Sequence, residues 1–407
     1  MWLCHSGRSL AQTDRAPGTP PARRPGPSAL DLAVTVSEAQ DGDPGEISPA
    51  LTGLPPASRY SNLDAQMTFL KNVPHMSVAS RLETAWLYYP TLDDRVASAY
   101  LASGAFSTAL SQKTTFRMNG NGRRGSSLSF STAGTALHVP PPADGPVQTP
   151  AGLLLDTTTS AYGAGLELQR TFGRRTTALV SIGGQYSERG DVADRTGEQN
   201  VGARVTRSMA RDASLYASYT GRRSTEWLVH GSRDMVTHET ALGAQVRWRR
   251  SRTRQTLFDV GVGPGVIDSD GRQQSTFSAT ASMTQELSKT WSARASYRHG
   301  AGLINGLTYA TWGTVDVHGS LHRRLEVDLG TGYSRAELTS ITSQPPLQTL
   351  IASTRLQFAV SASLGLFFQD VWYHTDQTAS ATGGSTVVWM GRRGGLRAGA
   401  VWRVPLH

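Results

Sequence analysis

No stretch of this 407-residue chain approaches the ~18 consecutive apolar residues of a membrane-crossing helix. Aliphatic runs stop at three, as in Leu153-Leu154-Leu155. Transmembrane helices are excluded, but a membrane is not, because a barrel strand gives only every second residue to lipid. Cysteine is almost missing: with Cys4 alone, neither an intrachain disulfide nor a thiolate metal site can form. Hydrophobic residues reach only 38% and charged ones 17%, while Gly counts 42. That balance suits strands and turns better than helices. Acid is in deficit, with 31 Asp and Glu against 40 Lys and Arg, a net charge of +9. Such a surplus suits nucleic acid, anionic lipid or an anion-attracting channel, and its distribution decides among them.

Proline is scarce where it matters. Nine of the 20 prolines precede residue 59, and a second group at Pro140, Pro141, Pro142, Pro146 and Pro150 marks one long loop. Between 157 and 404 only Pro264, Pro345 and Pro346 occur. Proline cannot donate to a ladder, so a continuous sheet demands this scarcity. Residues 12–28 are Pro, Arg and Gly with almost nothing apolar, which predicts a disordered segment. Residues 1–11 lack the basic start and apolar core of a signal peptide, yet Ser9-Leu10-Ala11 has the small-x-small form of a cleavage site. A truncated signal remnant and a plain disordered N-terminus both fit.

What is abundant is alternation. Tyr162, Ala164, Leu166 and Leu168 alternate with Gly163, Gly165, Glu167 and Gln169. Leu242, Ala244, Val246 and Trp248 oppose Gly243, Gln245 and Arg247, and Leu325, Val327, Leu329 and Tyr333 oppose Glu326, Asp328 and Gly330. The same two-residue period runs through 178–186, 277–283, 291–298 and 394–404. It is the strand period, not the helical one. The strands pair around short turns at Lys71–Met76, Leu110–Lys113, Phe172–Thr176, Arg207–Asp212, Arg250–Arg254, Leu287–Thr290 and His322–Arg324. An eighth, Phe358–Ser361, is placed by spacing alone. Turn centres recur about every 36 residues, apart from one gap that holds the Pro140–Pro150 loop. One repeat is two strands of about 10 residues, the length that crosses a bilayer at a tilt. The intervening connections, such as Ser187–Asn200, Arg222–His238 and Tyr373–Gly384, read as longer polar loops.

Eight hairpins, a leading strand at Leu30–Val36 and a closing strand at 394–404 predict an all-β, up-and-down antiparallel transmembrane barrel over 29–407. The count is 18 strands, with 16 the nearest alternative and Thr386–Met390 assigned to an extended loop. Propeller blades carry four short strands at a longer repeat, and sandwiches do not usually sustain so many successive hairpins in one phase. Aromatics near strand ends, among them Trp86, Tyr88, Tyr162, Trp248, Trp291 and Trp372, suit the interfacial girdles of a membrane barrel.

In this pattern the sequence resembles bacterial outer-membrane β-barrels of the porin-like kind, over about 29–407 and without a family-specific motif. Such proteins end in a strand in which Gly, aromatic and apolar residues alternate and are read by the insertion machinery. Gly399, Trp402 and Val404 look like that signal, although the chain continues through Pro405-Leu406-His407. The resemblance implies outer-membrane lipid and the insertion machinery as partners and a Gram-negative outer membrane as location.

If the apolar rows face lipid, the opposite rows line the lumen. They hold Arg204, Arg247, Arg294, Arg298, Arg355, Arg397 and Arg403 against Glu167, Asp259, Asp316, Glu326 and Asp328. That mixed wall with a positive bias suits passage of small anionic or neutral solutes; mutual pairing that merely solvates the wall is the plainer reading. The remaining Arg residues (Arg174-Arg175, Arg249-Arg250, Arg323-Arg324, Arg392-Arg393) are assigned to turns spread along the chain, unlike the clustered patch of a nucleic-acid binder.

Chemistry is otherwise thin. Gly120-x-Gly122-x-x-Gly125 fits a dinucleotide fingerprint in spacing only; no helix is expected after it, so it reads as a flexible turn and no cofactor is expected. His318 and His322 would stand about 13 Å apart in a strand, too far to share a metal. Asp93, Asp94, His230, His238 and His374 could gather at an outer rim, as in barrel-embedded hydrolases, but no G-x-S-x-G supports catalysis. The sequence therefore reads as a passive channel or export conduit without catalytic residues. An envelope-polymer (exopolysaccharide) export barrel, a barrel-embedded hydrolase and a soluble extracellular β-protein are the alternatives.

Overall fold

The structure, a computed structural model, describes residues 28–41, 58–90, 95–126, 158–189, 195–228, 231–251, 254–269, 271–303, 307–338, 347–380 and 386–406. They form strands β1 (Ser28–Asp41), β2 (Ser58–Val73), β3 (Met76–Tyr89), β4 (Arg95–Ser111), β5 (Thr114–Ser126) and β6 (Thr158–Phe172). Next come β7 (Thr176–Arg189), β8 (Arg195–Ala210), β9 (Ala213–Leu228), β10 (Gly231–Arg249), β11 (Gln255–Ser269) and β12 (Arg272–Glu286). The last six are β13 (Trp291–Leu303), β14 (Leu307–His322), β15 (Leu325–Leu338), β16 (Leu347–Ala359), β17 (Leu364–Ser380) and β18 (Thr386–Leu406). Each pairs antiparallel with its sequence neighbours, and β1 closes on β18 from Leu30↔Leu406 to Asp41↔Gly395. The fold is therefore one closed up-and-down barrel of 18 strands, without a free sheet edge.

The side-chain period fixes which face is which. On β8 the exposed row is Val201, Ala203, Val205 and Met209, while Asn200, Gly202, Arg204 and Thr206 are half-buried. Arg204 reaches Asp259 on β11, with Nη2 to Oδ2 at 3.4 Å. Those strands lie three apart, about 14 Å along a flat sheet, so the two side chains can meet only on the concave side. The polar rows thus face inward and the apolar rows outward. Leu242 at 71% exposed and Trp248 at 65% are values typical of a surface residue in water, yet they belong to a continuous apolar belt. A closed barrel with a greasy exterior and a polar interior is the architecture of a transmembrane β-barrel.

One rim is built from tight turns. β2–β3, β4–β5, β8–β9 and β14–β15 are joined by two residues each. Gly173, between β6 and β7, has φ of 64°, in the left-handed region that glycine adopts freely. Three of these hairpins carry a register shift beside the turn, at Ala109/Ser111, Ser208/Ala210 and Ser320/His322. The extra residues are Leu110, Met209 and Leu321, all large, apolar and exposed. A bulge at this level turns one more apolar side chain onto the bottom of the belt.

Several sequence expectations change. Thr386–Met390 is not in a loop; it opens β18 and pairs with Asp376–Ser380. Arg392-Arg393 likewise lies on β18, opposite Tyr373 and His374, and not in a turn. Arg222–His238 is mostly strand, because β9 and β10 stay paired to Leu228↔Gly231. Ser187–Asn200 and Tyr373–Gly384 shrink in the same way, to connections at 190–194 and 381–385. Their composition is polar because these strand ends extend past the belt: strands of 13 to 21 residues exceed the about 10 that a bilayer needs. The Gly120–Gly125 segment is the interior of β5 and not a turn. The last short turn falls at 360–363, two residues beyond the spacing-based position. The Pro140–Pro150 loop and residues 1–27 lie outside the described residues.

Candidate functional site: the inner wall of the barrel

By register, all twelve charged residues singled out in the sequence fall on the inner face. Arg355 of β16 stands across from Gln369 of β17, which stands across from Arg397 of β18. Arg403 lies on the same face of β18, opposite Ala33. Arg294 faces Asp316 and Arg298 faces Trp312 between β13 and β14. His318 faces Asp328, and Glu326 faces Gln357. Glu167 sits on β6 opposite Arg117, and Arg247 on β10 opposite Leu257 near the short-turn rim. The sequence-based insertion-signal residues occupy β18, with Gly399 facing inward and Trp402 and Val404 outward.

Much of this charge is compensated locally. Arg117 Nη1 to Glu167 Oε1 is 2.7 Å, Arg81 Nη2 to Glu83 Oε2 is 2.6 Å and Arg222 Nε to Glu198 Oε1 is 2.9 Å. Arg397 Nη2 reaches Asp64 Oδ2 at 2.7 Å across β1, and its Nε donates to Ser37 Oγ at 2.7 Å. Around Asp259 a fuller network forms: Tyr216 Oη donates at 2.8 Å, Gln245 Nε2 at 2.6 Å and Arg204 from the third side. The Arg204 guanidinium also lies 3.6 Å from the Tyr216 ring centroid. The ring fits because it covers Gly243 and Gly261, where a Cβ would stand 2.2 and 2.4 Å from its atoms. Pairing of this kind holds the wall rigid, since a half-satisfied polar group would be costly.

Arginines also gather along β16–β18. Arg355 and Arg397 flank the Phe367 ring at 4.6 and 5.4 Å, and Arg403 lies three inward positions farther along β18. Three arginines thus share one sector of the wall, with Asp328 directly across from Arg355 and Asp64 bound by Arg397. The result is an arginine-rich sector lined by one aromatic face, that of Phe367.

The sequence reading missed Asp64, Arg81, Glu83, Arg117, Glu198 and Arg222. Arg81 and Glu83 alternate with Leu82 and Thr84, so the period-two signal was present there. Arg117 and its neighbours were obscured by the Gly-Asn-Gly run that imitates a turn. The rim histidines are not brought together. His238 on β10 faces outward, its Nδ1 2.8 Å from Tyr219 Oη, and His374 lies on β17 against Trp372. Asp93, Asp94 and His230 lie outside the described residues. Among the described residues no three His, Cys, Asp or Glu come close enough to hold a metal ion.

No protein-family model matches the chain, and no curated protein matches it. Solved structures do. OpdQ of Pseudomonas aeruginosa is similar at a TM-score of 0.47 and 9% identity, over 93% of this chain and 98% of that one. OccAB4 of Acinetobacter baumannii gives 0.47 and 8% over 94% and 99%. OccK2 (OpdF) of Pseudomonas aeruginosa, solved in complex with glucuronate, gives 0.47 and 8% over 93% and 98%.

Proposed function

We propose that the protein is a passive channel of a Gram-negative outer membrane for small polar and anionic solutes. The observation that carries this reading is the charge pattern of the inner wall. Arg117, Arg204, Arg222 and Arg397 are each tied to a carboxylate, and Arg355, Arg397 and Arg403 gather on β16 and β18, the two strands that flank β17. Arginines gathered in one sector of a water-filled barrel bias passage toward anions. The outward apolar belt supplies the membrane, and an 18-stranded wall is wide enough to hold water. The closing strand, with Trp402 and Val404 on its lipid side, is the proposed contact for the insertion machinery. No residue is assigned a catalytic role.

Reconstituted in a planar bilayer under a KCl gradient, the protein should conduct with a reversal potential on the chloride side. Arg355→Gln combined with Arg403→Gln should move that potential toward zero while the barrel stays folded. Cation preference in the unaltered protein, or a folded barrel that passes no current, would overturn the reading.

A further inference from the structure

The wall opposite in character to the arginine sector lies on β5–β8. Its inner row reads Asn119–Gly165–Gly183–Asn200 across four consecutive strands. The two glycines face each other, so no side chain rises between the asparagines. Each asparagine bends over its neighbour: a Cβ on Gly165 would stand 2.5 Å from Asn119 Oδ1, and one on Gly183 would stand 2.5 Å from Asn200 Oδ1. Asn121 repeats the arrangement one step up, its Oδ1 2.6 Å from a Cβ placed on Gly163. Three carboxamides are therefore laid on a floor of bare backbone with their oxygens toward it. At Gly165 the amide nitrogen of Asn119 is 3.7 Å from the same point, farther from the floor than the oxygen. Among the described residues none of the three amides has a hydrogen-bond partner in the protein. Asn119 and Asn121 are solvent-exposed inside the lumen.

Two of the cations that border this floor are paired, Arg117 with Glu167 below it and Arg222 with Glu198 beside it, and Arg123 stands one inward position beyond Asn121. A recess lined by unengaged amides favours a ligand that offers many hydroxyls, because a carboxamide both donates to and accepts from hydroxyl groups, whereas a carboxylate can only accept. We infer that the β5–β8 wall is a subsite for neutral polyhydroxylated solutes, that is, sugars, held by Asn119, Asn121 and Asn200 over the glycine floor. Asn119 and Asn200 start about 14 Å apart across three strand spacings, a span suited to a solute with more than one ring. The inference deepens the channel reading and rests on the lumen being wet. It divides the lumen into an anion-attracting sector on β16–β18 and a hydroxyl-binding sector on β5–β8.

The test is saturation-transfer NMR of raffinose with the folded protein in lauryldimethylamine oxide, a detergent without a sugar headgroup. The unaltered protein should bind raffinose saturably and in preference to gluconate, which Arg123, one step beyond Asn121 on β5, would otherwise attract. Asn119→Leu with Asn200→Leu keeps side-chain size and removes both amides. Binding should weaken about fivefold for each amide lost, with the folded form verified by its heat-shifted migration on a gel. The milder Asn119→Ala serves if the double variant does not fold. Absence of raffinose binding, stronger binding of gluconate, or unchanged binding in the folded variants would overturn the subsite. Raffinose binding by a barrel that carries no current would leave the subsite standing and remove the channel reading, so the two fail separately.

Discussion

Val180→Arg should destabilise the folded barrel by about 2–4 kcal/mol, the cost of an arginine near the middle of a lipid-facing wall. Ser181→Arg, one residue on, should change stability by only about 0.5 kcal/mol. The two positions share a strand, a depth and nearly a backbone environment. They differ in face: Val180 belongs to the exposed apolar row, and Ser181 points inward between Glu167 and Gly202. An inward arginine there gains Glu167 as a neighbour and water as solvent. An outward one must draw lipid headgroups and water down to itself. Denaturant titration of both variants refolded into vesicles gives the comparison. Equal destabilisation by the two substitutions would contradict the assignment of faces, whatever the absolute values.

The second large effect is expected at the seam where the barrel closes. Gly399 of β18 faces Ser37 of β1. A Cβ there would stand 2.3 Å from the Val36 carbonyl oxygen and 2.6 Å from Ser37 Cβ. The nearest obstruction is backbone, which cannot step aside without moving the ladder that joins first strand to last. Gly399→Val should therefore cost at least about 1–3 kcal/mol through overpacking, and should lower the yield of closed barrel more than the same change at an open site. The experiment also separates two roles for this glycine. If it acts by sterics at the seam, purified protein refolding in detergent without any cellular factor will show the defect. If it acts only as part of an insertion signal, refolding in vitro will be normal and the defect will appear only in cells.

The parts of this structure legible in the sequence were those written as polarity at period two with large residues on one side. Leu166 and Leu168 against Glu167, or Leu325, Val327 and Leu329 against Asp328, gave strand, face and register together, because a one-residue slip would put charge into lipid. The short turns were legible because polar and basic residues interrupt the apolar row at near-equal intervals. Val360, an apolar residue inside a turn, hid the eighth and moved it by two residues. Strand extensions beyond the belt were illegible for a physical reason. Outside lipid both faces of a hairpin are wet, so the stretch from Arg222 to His238 carries no alternation to distinguish ladder from loop. The glycine-rich β5 failed the same way, since beyond Phe116 and Met118 its lipid side continues as Gly120 and Gly122, without apolar bulk. Pairings between distant strands, such as Arg397 with Asp64, depend on closure of the barrel and have no local signature.

Cysteine scanning along β8 from 198 to 207, in a protein with Cys4 replaced by Ser, asks the plainest question of the wall. Spin labels at Val201, Ala203 and Val205 should be relaxed by a lipid-soluble quencher, and those at Asn200, Gly202, Arg204 and Thr206 by a water-soluble one. The two accessibilities should alternate out of phase at every residue. Labels that all respond to the aqueous quencher alone, or that show no period of two, would mean that this strand does not separate lipid from a wet lumen.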